Sequence, residues 1–366
     1  MKSLNERGFR FFAEVQDEPD TDSEVFYNPE MRINRDLSEA AVRVFSEELD
    51  TEVRGVDATA ASGIRGLRYS DLVDDLHFCD PNPSAIEAVE RGIDANGLEA
   101  STHEQDANTV LSRFRNYFHV VDVDPFGPFT QFLDSAARAA NHRSLVGLTA
   151  TDNSATSGSY PKVCRRRYGS RPLRNSFMHE TGLRIYIKEA FENFARYDKC
   201  FDPKICFHHR HYSRLIGRVT ESKSRANRSL EDIGYLSFCP ECRWRKLEKV
   251  RKCGFCSNED LSYAGPLWTG SLSDTRFTES MLESTPEDWE KSRELLEKIH
   301  SGSRIRKPYY DIHEMASQLG IQSPRRDEVL ERLSDLGYVT GRTHFSPTGV
   351  KTEAPFGDLR EVLSDL

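Results

Sequence analysis

Between residues 36 and 160, short apolar runs alternate with amphipathic stretches, and that order admits few folds. A helical DLSEAAVRVFSEEL (36–49) leads into EVRGVDAT (52–59), which reads as a buried strand and is followed by the small residues of ASGIRGLR (61–68). DDLHFCD (74–80) is a second strand ending on an acid, and SAIEAVERGIDANG (84–97) is an amphipathic helix stopped by glycine. YFHVVDVDPFG (117–127) reads as a strand, FTQFLDSAARAANH (129–142) as a helix and SLVGLTATD (144–152) as a further strand. Repeated alternation of this kind lays parallel strands side by side with crossover helices on both faces. The expected class is therefore α/β, a doubly wound sheet whose ligands sit beyond the carboxyl ends of the strands.

The segments that leave those strands carry the chemistry. Asp124-Pro125-Phe126-Gly127 comes straight after the run VVDV. An exocyclic base amine is a poor nucleophile because its lone pair is delocalised into the ring, so an enzyme must reorient it. Asp124 and the Pro125 carbonyl can accept its two N–H bonds while Phe126 stacks on the base face. A plain Pro-Phe-Gly turn is the alternative. Upstream, DATAASGIRG (57–66) lets a ligand approach the backbone through Gly63, Gly66 and their small neighbours, although it is not a G-x-G-x-x-G loop. Asp80, at the end of the second strand, stands where an acid contacts ribose hydroxyls in dinucleotide folds. Asp106 precedes the helical ANTVLSRF (107–114) and reads either as a contact to adenine or as an N-cap. A nicotinamide dehydrogenase could use the same acid, but the DPFG loop favours methyl transfer from S-adenosyl-L-methionine.

Four of the eight cysteines, Cys79, Cys164, Cys200 and Cys206, are scattered. The other four form Cys239-x2-Cys242-x10-Cys253-x2-Cys256, two thiolate pairs joined by a short basic connection. That set suits a closed tetrahedral zinc site with a structural role and argues against a disulfide scaffold. His208, His209 and His211 read as a packed or substrate-facing strand, CFHHRHYSRLIGRVTES (206–222), in preference to a second metal site. The segment SKSRANRS (222–229) reads as a linker and DNSATSGSYPK (152–162) as a flexible substrate loop. Nothing resembles a G-x-S-x-G nucleophile elbow. After residue 267, helix, turn, helix and hairpin succeed one another in the order of a winged helix. The expected division is 1–235 for the catalytic domain, 236–262 for the zinc element and 263–366 for an α+β winged-helix-like carboxyl-terminal domain.

Charge adds a partner. The chain has 50 Lys+Arg and 59 Asp+Glu, a net charge of −9, yet residues 160–255 hold 23 of those cations against 10 acids. A basic middle in an acidic protein concentrates positive potential where phosphates can meet it. No run approaches the ~20 apolar residues of a membrane span. The amino-terminal stretch lacks the apolar core of a secretory leader, so a cytoplasmic protein with no membrane partner is expected.

The segments VFYNPEMRINRD (25–36), ATAASGIRGLR (58–68), VDVDPFGPFTQFLDSA (121–136), LTATD (148–152) and GRTHFSPTGVKTEAP (341–355) together resemble the tRNA (guanine(26)-N2)-dimethyltransferases, in their archaeal, zinc-containing branch. The resemblance implies a Rossmann-like class I methyltransferase domain, tRNA as partner and the transfer of two methyl groups to one guanine N2. It implies that Asp124 holds the amine, as orienter alone or also as base, with Phe126 and Phe26 around a flipped guanine. It places Asp80 at the ribose of S-adenosyl-L-methionine, Asp106 and Ala107 at its adenine, and Arg35 and Arg65 at its methionine end. Action as a monomer is expected. Phe126 and Gly127 replace the second proline and the terminal aromatic of the wider D-P-P-Y pattern, a departure that the resembled family shares. The alternatives are a DNA or RNA adenine-amine methyltransferase and a non-catalytic zinc-ribbon RNA-binding protein.

Overall fold

Val120 and Val121 are neighbours in the chain, yet they lie in different cores, because successive side chains of a strand point to opposite faces. Leu145 and Val146, and likewise Ile216 and Leu215, divide in the same way. A sheet buried on both faces explains why these strands read as continuous apolar runs. The computed structural model describes residues 1–14 and 25–366.

The chain opens with a hairpin of β1 (Lys2–Glu6) and β2 (Phe9–Ala13), followed by α1 (Arg32–Glu47). The central sheet then takes β3 (Arg54–Asp57), β4 (Asp75–Asp80), β5 (Ser101–Glu104), β6 (Phe118–Val123), β7 (Ala140–Ala150), β8 (Lys199–His209) and β9 (Tyr212–Glu221). Their order is β5-β4-β3-β6-β7-β9-β8, with β3 to β7 parallel and β9 antiparallel to both of its neighbours. Between them run α2 (Ile64–Leu67), α3 (Pro83–Asn96), α4 (Ala107–Arg113), α5 (Leu133–Ala139), α6 (Asn153–Thr156), α7 (Pro161–Tyr168) and α8 (Met178–Ala195). Val110, Leu133, Leu183 and Phe191 put α4, α5 and α8 on one face. Leu37, Phe45, Ile64 and Val89 put α1, α2 and α3 on the other.

After α9 (Lys223–Ser229), the strands β10 (Ile233–Phe238), β11 (Arg245–Lys246) and β12 (Ser262–Trp268) form a small antiparallel sheet around the cysteine pairs. Helices α10 (Thr275–Ser284) and α11 (Glu290–Ser301) return to the catalytic sheet, where Phe277, Met281, Leu296 and Ile299 join the core beneath α1. The last segment holds β13 (Tyr310–Asp311), α12 (Ile312–Leu319), α13 (Arg326–Asp335), β14 (Thr340–Arg342), β15 (Gly349–Thr352) and α14 (Phe356–Asp365). Its apolar residues Met315, Val329, Leu333 and Val362 share a core with Cys239, Cys242 and Cys253. No helix among the described residues is long and apolar enough to cross a membrane.

Three local expectations change. The stretch 206–222 is not one strand: it folds back at Arg210, whose φ of +51° turns the chain from β8 into β9. The supposed linker is α9, capped by Ser222, whose hydroxyl accepts the Arg225 N–H at 3.4 Å. The polar loop after β7 is pinned rather than loose. Asp152 accepts the hydroxyls of Tyr168 at 2.7 Å and Tyr186 at 3.1 Å, and Ala155, Thr156 and Ser157 are buried.

Candidate active site

Strand order reverses between β3 and β6, and the loops that leave those strands diverge to open a crevice. A cavity of about 550 Å³ lies there. Its walls include Phe26, Arg35, Arg65, Asp80, Asp106, Ala107, Asp124 and Phe126. All eight residues singled out in the sequence for methyl donor and acceptor therefore meet at one place.

On the β3 side, the loop from Ala58 to Gly63 turns through left-handed backbone at Ala61 (φ +48°) and Gly63 (φ +73°). Asp80 braces it from β4, with one carboxylate oxygen accepting the Ala61 N–H and the other the Asn82 N–H, both at 2.9 Å. Gly66 lets α2 sit against the sheet, since a Cβ there would lie 2.3 Å from the Phe78 ring. Asp106 caps α4, accepting the Asn108 N–H at 2.9 Å, and its side of the helix end also lines the cavity.

On the β6 side, the Asp124 N–H donates to Thr59 Oγ1 at 2.8 Å, tying the two loops together. Gly127, with φ +82°, donates to Thr151 Oγ1 at 2.8 Å and accepts the Thr151 N–H at 3.0 Å. This pair of hydrogen bonds to the end of β7 projects Phe126 outward, 55% exposed. Its ring meets Phe26 edge to face, with centroids 4.6 Å apart and planes at 77°. Two aromatic walls thus stand beside a carboxylate at the mouth of the crevice.

Buried charge lies beneath them. Arg65 donates to Asn34 Oδ1 at 3.0 Å, to Ser38 Oγ at 3.2 Å and to the Asp124 carboxylate, and it pairs with Asp122 at 3.6 Å. Asp122 also accepts the Tyr69 hydroxyl at 2.8 Å and Arg214 Nη1 at 3.0 Å. Burial opposes its charge, but the Arg214 and Arg65 guanidiniums prevail and hold its carboxyl below the usual range. Asp57 has the opposite balance. Burial, and then the charge of Asp122, push it up to about 7; one oxygen accepts the Gly66 N–H at 3.0 Å and the other, Oδ1, has no hydrogen-bond partner among the described residues. Arg35 reaches the cavity with its guanidinium already held by Glu6, at 2.7 and 2.6 Å. Although burial opposes it, these bonds and the nearby Arg68 bring Glu6 down to about 2.

The four sulfurs of Cys239, Cys242, Cys253 and Cys256 lie within 4.8 Å of one another. The Phe255 and Cys256 N–H groups both point at Cys253 Sγ, at 3.4 Å, an arrangement that favours the thiolate a metal binds. The donor set fits zinc in a closed site. Of the histidines, His211 lines the crevice, while His208 is buried against His179 with ring centroids 4.1 Å apart. Burial, and then the neighbouring histidines, push His208 down to about 3.

The family model for N2,N2-dimethylguanosine tRNA methyltransferase matches residues 12–364. The chain belongs to that family. This methyltransferase is 36% identical over 355 residues to the tRNA (guanine(26)-N(2))-dimethyltransferase of Methanothermobacter thermautotrophicus, covering 93% of each chain. It is 32% identical to the enzyme of the same name from Haloarcula marismortui, covering 96% of each. Its fold matches the solved Trm1 from Pyrococcus horikoshii in complex with S-adenosyl-L-methionine, with a TM-score of 0.87 and 28% identity over 99% of this chain and 100% of that one.

The residues that the sequence reading passed over in this methyltransferase are Asp57, Tyr69, Asp122 and Arg214. A signal for one was present. Asp122 interrupts an otherwise apolar run, and a charge inside a buried strand needs a partner.

Proposed function

We propose that the protein transfers two methyl groups from S-adenosyl-L-methionine to the exocyclic N2 of guanine 26 in tRNA, giving N2,N2-dimethylguanosine. The observation that carries the reading is the meeting of all eight anticipated residues around one crevice, at the switch point of a sheet in a chain of this family. The bound sulfonium supplies an electrophilic methyl group. Asp80 would hold the ribose, Asp106 and Ala107 the adenine side, and Arg35 and Arg65 the methionine end.

The chain's own residues prepare the acceptor. Guanine 26 leaves its stack at a cost of a few kcal/mol and is received against the exposed Phe126 ring, with Phe26 beside it. Asp124 and the Pro125 carbonyl accept the amine N–H bonds and turn the nitrogen lone pair toward the methyl carbon. An N–C bond forms as the S–C bond breaks, the sulfur keeps the electron pair, and the amine proton leaves with Asp124 as its nearest carboxylate. One N–H remains after the first transfer, so the same geometry serves a second. The cysteine set holds zinc as a structural element and takes no part in transfer.

The same reading has residues 1–235 as the catalytic domain, 236–262 as the zinc element and 263–366 as a tRNA-binding region, in a monomer working in the cytoplasm. Incubation with labelled methyl donor tests it: methyl groups enter an unmodified tRNA transcript and not duplex DNA. Incorporation into adenine, or failure to bind the methyl donor at all, defeats it.

A further inference from the structure

Beside the crevice lies charge that methyl transfer does not use. From Tyr160 to Arg174, α7 and the turn after it carry Lys162, Arg165, Arg166, Arg167, Arg171 and Arg174, with no acid among them. All six are exposed. Arg167 pairs with Asp152 at 2.9 Å, and among the described residues the other five make no ion pair. The last turn of α7 favours the cations of Arg165, Arg166 and Arg167, but Lys162 stands three and four residues before two of them, a like-charge spacing that destabilises a helix. A bound anion would relieve that repulsion.

The shape fits one as well. Lys162, Arg165 and Arg171 line a surface hollow of about 450 Å³ whose other walls are Pro161, Gly169, Ser170 and Gly265, none of them acidic. The hollow is firmly built. Arg171 and Gly265 exchange two backbone hydrogen bonds of 2.9 Å, and the Ser170 hydroxyl donates to the Tyr168 and Pro266 carbonyls at 2.9 and 2.7 Å. Aromatic rings flank it: Tyr160, 61% exposed, immediately precedes α7, and a Cβ on Gly265 would lie 3.0 Å from the Tyr235 ring. Lys249 Nζ sits 5.1 Å from the centroid of that same ring. Cations beside the exposed Tyr160 ring match a nucleic-acid strand, phosphates to the cations and a base to the ring.

A short chain of contacts links this surface to the reacting loop. Arg167 holds Asp152, whose neighbour Thr151 is bonded twice to Gly127. We propose that Lys162, Arg165, Arg166, Arg171 and Arg174 form a track for the phosphodiester backbone of the tRNA strand that carries the target guanine. This rests on the tRNA reading and names the surface that grips the substrate.

The test is tRNA affinity against salt for the full chain. Each lost phosphate contact lowers the slope of log Kd against log salt by about 0.7–0.9. The pair Arg165→Ala and Arg171→Ala is expected to lower it by roughly 1.5 and to raise KM for tRNA about tenfold, with kcat and methyl-donor affinity unchanged. The pair Arg165→Lys and Arg171→Lys keeps the wild-type slope. Arg91→Ala, on α3 and already paired with Glu87, leaves the slope alone. An unchanged slope in the alanine pair, or an equal drop in Arg91→Ala, overturns the track. Failure of the wild type to dimethylate tRNA defeats the functional reading instead, and the two failures are told apart because the slope needs no turnover.

Discussion

Arg65 donates to the Asp124 carboxylate while its Nε lies 3.6 Å from Asp122, so one buried guanidinium joins the acceptor-facing loop to the charged floor of the sheet. Among the described residues no other side chain donates to the Asp124 carboxylate. In the proposed reaction the amine therefore meets a carboxylate whose place Arg65 sets, and that place depends in turn on Asp122.

Asp122→Asn removes the one charge that, among the described residues, pairs with both Arg65 and Arg214. Leaving buried guanidiniums under-compensated costs about 3–5 kcal/mol. Urea unfolding should show that loss, and a change below about 1 kcal/mol would mean that the two arginines are held by other groups.

Asp57 gives a signed pH dependence. In the fold it keeps its proton up to about 7, whereas the free side chain loses it near 3.8. Its contribution to stability is fully present below about pH 3.8 and is lost as pH rises through about 7. Asp57→Asn imitates the neutral acid and keeps an acceptor for Gly66, so its stability relative to wild type should rise between about pH 4 and 7 by up to about 1.4 kcal/mol per pH unit and level off above that. Parallel urea titrations across that range are the check; a constant difference contradicts the assignment.

Much of this site could be read from residues alone, and the reason is local. Asp80, Asp106 and Asp124 each follow an apolar run or open a helix, positions that sequence order reveals. The floor was not visible in that way, because Tyr69 and Arg214 reach Asp122 from 53 and 92 residues away. The engagement of Arg35 by Glu6, across 29 residues, was hidden for the same reason. Strand β5 was missed because STHE is polar and lies at the sheet edge, where pairing and not apolar burial makes it a strand. The fold back at Arg210 has no glycine or asparagine to announce it.

Phe126→Ala removes one aromatic wall. Base stacking of this kind contributes about 1–3 kcal/mol, so kcat/KM for tRNA should fall roughly 5- to 150-fold while methyl-donor affinity, measured by calorimetry, stays put. A loss of methyl-donor affinity instead would place Phe126 at the wrong end of the cavity.

Zinc should matter to the carboxyl-terminal segment more than to the crevice. Phe255, between the last two cysteines, packs edge to face on Phe356 of α14 at 5.0 Å, and three cysteines share a core with α12 and α13. One zinc per chain is expected by elemental analysis. Chelation or Cys253→Ser should lower the melting temperature and increase hydrogen exchange in α12–α14, with methyl-donor binding retained. Protection unchanged after metal removal would contradict a structural role.

The most direct measurement is nucleoside mass spectrometry of an unmodified tRNA transcript treated with the enzyme and S-adenosyl-L-methionine. The wild type should yield N2,N2-dimethylguanosine, none should form on a transcript with guanine 26 replaced, and Asp124→Ala should lose the product while still binding the methyl donor. Undiminished dimethylguanosine from Asp124→Ala, or product on the transcript lacking guanine 26, would contradict the account.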